Sequence, residues 1–248
     1  MPHVWWVVNN PYEDLWITKR GIQLPKDRLL LLRPVGICLL PPTKLLTPER
    51  SRVALVQPSG PTHLENTFIA PWIQDQNLAA YVRMYRQHYG GPTVLAMHRG
   101  VITVPYQTSV MKMYEGLSAG AVFIIPSPTF FFSLLQQFND TMMVFCCRGL
   151  IADHKDWVNY FDWYHQDYID SHIMYDSWQD LHDFIKDRER SYKLIEQKRR
   201  IGLEAMRRSR ARTLEGYGNL YRAVSQQACA QTQYGDVLSL GYRGHLPP

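Results

Sequence analysis

Glu115 stands in an otherwise apolar helical stretch, one turn before small residues that permit close packing. A carboxylate held there, facing strand ends, suits two vicinal hydroxyls, because each oxygen accepts one O–H in a charge-assisted pair. His98, Arg99 and Gly100 follow an apolar run. An arginine beside a glycine that admits close backbone approach suits a diphosphate, and His98 could hydrogen-bond a phosphate or a base. Trp157, Tyr160, Phe161, Tyr164 and Tyr168 could stack on sugar rings, and the same spacing equally describes a helical core stripe. Glu115 and Arg99 also have plainer readings: a solvent-facing residue of an amphipathic helix, and a partner of a surface carboxylate.

The elements that must position Glu115 are legible. Val101–Val104 is rich in β-branched residues and stops before Pro105, which suits a buried strand. Thr108 or Ser109 can cap a helix by accepting from orphan backbone N–H groups. Val110, Met113, Tyr114 and Leu117 recur at helical spacing. Gly120 suits the left-handed residue that ends a helix, and Val122–Ile125 is the next apolar strand. Thr93–Met97 reads as a further strand, with Arg99 at its carboxyl end. The three residues between it and Val101 are too few for a parallel crossover, so a hairpin or one bent strand is expected.

The string YEGLSAGAVFIIPS, residues 114–127, resembles the donor-binding segment of GT-B glycosyltransferases: a glutamate, a small-residue helix end with glycine, then an apolar strand. In retaining members a second acidic residue lies eight positions earlier, where this chain has Gln107. The longer VPYQTSVMKMYEGLSAGAVFIIPS, with DSWQDL downstream, is also similar to GT-B-like proteins of fungi and algae, and weaker similarity runs from Arg52 to Ile185.

The resemblance is to the nucleotide-sugar-binding C-terminal half of family 1/4-like members. It implies an α/β fold, a Rossmann-like parallel sheet flanked by helices, here followed by a long C-terminal helix. It implies metal-independent transfer from a nucleotide sugar, a substrate rather than a cofactor, to an acceptor it does not identify. Glu115 would hold the ribose hydroxyls. Arg99 would neutralise the departing diphosphate, and such electrostatic stabilisation is usually the largest catalytic contribution. His98, Gly100, Tyr106, Gln107 and Ser109 would complete the donor contacts. A complete GT-B enzyme has two such domains, and this chain holds little more than one. The alternative is a binding or interaction module that keeps the nucleotide-sugar fold without turnover.

Composition agrees with a folded chain: 46% of residues are hydrophobic and 12% aromatic. Residues 1–50 form an N-terminal segment that could be the remnant of an acceptor domain. It carries strand candidates at 4–8 and 28–32 and a helix at 12–18 behind Asn9–Pro11. Pro41–Pro48 is a soft boundary. The nucleotide-sugar-binding domain is expected over 51–185, with strands at 52–56, 142–147 and 173–175. Helices are expected over 65–89, interrupted at Pro71, and over 129–138, with a further one starting at Asp176 or Ser177. A basic helix at 186–224 and a flexible tail at 225–248 follow. Net charge is +5, and Arg199, Arg200, Arg207, Arg208, Arg210 and Arg212 give the helix a basic face. Such a face can bind nucleic acid or an acidic membrane surface. A solvated face paired with Glu189, Glu196 and Glu204 is favoured. The four cysteines have no metal-like spacing, and no metal site is expected. The chain lacks a phosphate-binding glycine fingerprint and an Asp-x-Asp motif. No apolar run reaches the roughly 18–20 residues that span a bilayer, and the N-terminus is a poor signal peptide. A cytoplasmic location is therefore expected.

Overall fold

A computed structural model describes residues 4–37, 50–59, 63–86, 88–138 and 156–226. The chain opens with a small parallel sheet of β1 (Trp6–Val8) and β2 (Leu29–Leu31), linked by α1 (Pro11–Thr18). Asn10 caps α1, its Oδ1 accepting from the Tyr12 N–H at 2.7 Å. The main sheet comprises β3 (Val53–Val56), β4 (Val82–Tyr85), β5 (Val101–Ile102), β6 (Phe123–Pro126) and β7 (Ile173–Tyr175). All its pairings are parallel, in the order β4-β3-β5-β6-β7. Strands β3, β5 and β6 are buried on both faces, which is why they read as unbroken apolar runs. Helices flank the sheet: α2 (Ala70–Asp75), entered through a π-helical turn at Glu65–Ile69, then α3 (Pro92–Met97), α4 (Met111–Ala119) and α5 (Pro128–Gln137). After β7 come α6 (Trp178–Lys186) and the long α7 (Arg188–Gln226). The architecture is α/β and Rossmann-like, as expected.

Several local expectations change. Thr93–Met97 is helix α3, not a strand. Pro92 occupies its first turn, and Leu95 and Ala96 are buried. This helix is the crossover that a parallel β4-to-β5 connection requires, so the hairpin and the bent strand both fall away. Residues 82–85 are strand β4 rather than the end of a helix, because Val82 to Tyr85 pair in register with Val53 to Val56. Neither Thr108 nor Ser109 caps α4. Its N-cap is Val110, with no side-chain cap, and the Thr108 carbonyl instead accepts from the Asp162 N–H at 2.8 Å. Gly120 does close α4 in the left-handed conformation, at φ 87°. Ser127 and Ser177 cap α5 and α6. The expected strand at 142–147, Pro41–Pro48 and all of the tail beyond Gln226 lie outside the described residues.

The aromatic run 157–168 forms short 3-10 turns rather than a continuous helix. Trp157, Phe161, Tyr164 and Tyr168 are buried, and the first three pack around Phe131. They are core, not a sugar-stacking platform.

Two arginines of the basic helix turn inward. Arg199 donates through Nη1 to the carbonyl of Ala96 at 3.0 Å and to that of Gly120, at the ends of α3 and α4. Arg210 donates to the carbonyls of Val35 and Gly36 and to the Ser118 hydroxyl, at 2.8–3.1 Å. Guanidinium groups suit this work because five donors on a rigid fork reach several carbonyls at once. Arg207 and Arg208 pair with Glu204 on the outer face.

Candidate functional site

A strand order of this kind has one switch point. From β3 the chain moves to β4 on one side, then returns to β5 on the other. Ligands of open α/β sheets bind at the carboxyl ends of the strands flanking that point. Three loops leave the strands on that side: the one after β3 (Gln57–Ser59, then His63), the one after β4 (Arg86, then His88 and Tyr89) and the one after β5 (Thr103 to Val110).

The crevice is bridged by a carboxylate. Glu65, only 1% exposed, accepts the backbone N–H of Val104 through Oε1 at 3.1 Å. Beside it, the Lys112 ammonium of α4 donates to the Thr103 hydroxyl at 3.2 Å and lies 5.9 Å from the Tyr106 ring centroid. Burial holds the Lys112 pKa below that of an ordinary lysine, against the opposing charge of Glu65. The His63 ring meets Tyr106 edge-on, with centroids 5.4 Å apart. Burial raises the Tyr106 phenol pKa, and Glu65 raises it further.

Glu115 lies one turn beyond Lys112 on α4, so the two side chains share a face. Glu115 is half-buried. The Tyr89 phenol, after β4, is raised by burial and then by the nearby Glu115 and Tyr106. Gln107 and Ser109, both half-buried, lie in the loop between β5 and α4. A cavity of about 480 Å³ opens between the ends of β3 and β4, lined by Gln57, Ser59, Asn66, Arg86 and His88. Glu115 does not line that cavity.

Tyr106, Gln107, Ser109 and Glu115 thus gather at the carboxyl edge. His98, Arg99 and Gly100 do not. They precede β5, and the Arg99 N–H pairs with the Arg52 carbonyl just before β3, at the amino edge. Arg99 is 2% exposed. Its guanidinium donates to the Ile185 carbonyl at 2.5 Å and the Ser191 hydroxyl at 2.6 Å, clamping the end of α6 to the start of α7. Burial lowers its pKa to about 10, with Arg188 adding to the effect. His98 is fully buried, its Nε2 bonded to the Tyr85 hydroxyl at 2.8 Å. A Cβ on Gly100 would meet the Ile124 side chain at 2.8 Å, so this glycine admits a neighbouring strand rather than a ligand. The strand end expected to bring this triplet to a diphosphate is the end of helix α3, and the structure places the triplet apart from Tyr106, Gln107, Ser109 and Glu115.

Glu65, Lys112, Arg86 and His88 stand at this candidate site and were passed over by sequence reasoning. Each is unremarkable in its own segment, and only the switch-point topology brings the segments together.

No protein-family model matches the chain, and no curated protein matches it significantly. Among the described residues no cluster of histidine, cysteine and carboxylate side chains could hold a metal ion, and no helix is long and apolar enough to cross a membrane.

Proposed function

We propose that the carboxyl-edge crevice binds a nucleotide sugar, in the manner of the donor half of a GT-B glycosyltransferase. The observation that carries this reading is that Lys112 and Glu115 lie one turn apart on α4, the helix that follows the switch-point strand. Glu115 would accept the two ribose hydroxyls. Lys112, the uncapped N–H groups of α4 and Ser109 would meet the diphosphate. Gln107 would hydrogen-bond the diphosphate or the sugar, and Tyr106 would contribute an aromatic face to the donor.

A second reading is binding without transfer. It is favoured by the burial of Arg99 at the far edge, which leaves the departing diphosphate without the arginine expected for it. Titration with a panel of nucleotide sugars, together with assays of hydrolysis and transfer, separates the two. Turnover supports a transferase, saturable binding without turnover supports the module, and absence of binding removes both. Glu115→Ala should abolish binding while leaving thermal unfolding unchanged, since truncating a partly solvated carboxylate usually costs little stability.

A further inference from the structure

A separate pocket lies at the amino-terminal segment, where the end of β2 meets α7 and the turns at 162–171. It encloses about 240 Å³ and is lined by Arg33, His165, Asp167, Ser209, Arg212 and Thr213. We propose that this pocket binds a small oxyanion of the phosphate class.

The donor inventory points to an anion. Arg33 gives Nη1 to the buried Asp162, but that carboxylate is shared: Asn10 Nδ2 donates to it at 2.9 Å and the Tyr114 hydroxyl at 2.5 Å. A guanidinium carries five N–H donors, so one shared carboxylate leaves Arg33 with N–H groups to offer. Arg212, the other guanidinium, meets Asp167 at 2.6 Å and is 57% exposed, so its fork can turn. His165 Nδ1 accepts the Asp167 backbone N–H at 3.2 Å, which puts the ring proton on Nε2 and makes that nitrogen a donor. The Ser209 hydroxyl pairs with that of Tyr168 at 2.6 Å. Planar guanidinium forks match the oxygens of phosphate in a bidentate geometry. The one carboxylate that lines the pocket, Asp167, is the group the anion must displace from Arg212.

That competition fixes the sign of the test. Inorganic phosphate is titrated calorimetrically into the full chain at constant ionic strength, with chloride as the balancing ion. Saturable binding is expected. Arg212→Gln should weaken it about tenfold, the effect of losing one charge-assisted hydrogen bond. Asp167→Asn, which removes the competitor and leaves the backbone bond to His165 intact, should tighten it. Both positions are at the surface, and circular dichroism checks that the variants fold. Arg212 lines this pocket and not the carboxyl-edge crevice, so weakening by Arg212→Gln assigns the phosphate here and the result is independent of the nucleotide-sugar reading. Absence of saturable phosphate binding overturns the proposal, as does Arg212→Gln binding as the parent does or Asp167→Asn failing to tighten binding.

Discussion

The Glu65 carboxylate accepts the backbone N–H of Val104 at 3.1 Å, joining the turn after β3 to the residue where β5 gives way to its loop. It therefore ties together two segments that border the switch-point crevice. Glu65→Ala leaves a buried N–H without its acceptor, at a cost of about 1–3 kcal/mol. Glu65→Gln keeps an oxygen at the same place and should recover most of that loss. Urea denaturation of the two variants measures the difference. If they unfold together at the parental midpoint, the bond does not support the crevice.

Arg99 should behave as a structural residue. Arg99→Ala strands the Ile185 carbonyl, which costs about 1–3 kcal/mol when left buried and unpaired, while the Ser191 hydroxyl keeps its bond to the Arg188 carbonyl. Stability should fall, while the affinity of the folded fraction for a nucleotide sugar stays at the parental value. A selective loss of affinity at unchanged stability would return Arg99 to the site.

Asp162 ties Asn10, Arg33 and Tyr114 together, and Tyr114 is the α4 residue next to Glu115. Asp162→Ala leaves the buried Arg33 charge uncompensated, which costs about 3–5 kcal/mol. Guanidinium unfolding should show this loss. A drop in nucleotide-sugar affinity should accompany it, because α4 loses the bond that fixes its rotation.

His172 gives the folding equilibrium a pH dependence. It is fully buried between Phe123 and Trp163, and neither ring nitrogen has a hydrogen-bond partner among the described residues. Burial, with Lys198 adding to it, lowers its pKa to about 3. An unfolded histidine takes up its proton near pH 6.5. Between those values the unfolded chain binds more protons, so this contribution is complete above pH 6.5 and falls with pH at about 1.4 kcal/mol per unit. His172→Phe should flatten the slope between pH 6.5 and 5 relative to the parent. Equal slopes would mean that His172 is protonated in the folded chain.

Gly36 has φ 56°, and a Cβ there would meet the Tyr114 carbonyl oxygen at 2.5 Å. Gly36→Ala should therefore cost more than the roughly 1–2 kcal/mol of left-handed backbone strain alone. Thermal unfolding of this variant checks it, and a smaller loss would mean that the N-terminal segment can move away from α4.

Much of the fold was legible because its signals are local. Apolar β-branched runs gave β3, β5 and β6, Asn10 and Ser177 gave helix starts, and Gly120 gave the end of α4. The same local reading misassigned Thr93–Met97, since a short buried helix and a short buried strand have the same apolar composition. Only strand pairing separates them. The sequence by itself determined that Glu115 sits on a helix between two buried strands, because chain order and periodicity are written in neighbouring residues. The tertiary structure alone decided which side chains share its edge of the sheet. Arg99 is near Glu115 in the chain and at the other end of the strands in space. Glu65 is fifty residues away and reaches the crevice that Glu115's helix overlooks. Parallel strands make this so: each crossover carries the chain back across the full length of the sheet, so neighbours in sequence part and distant loops meet.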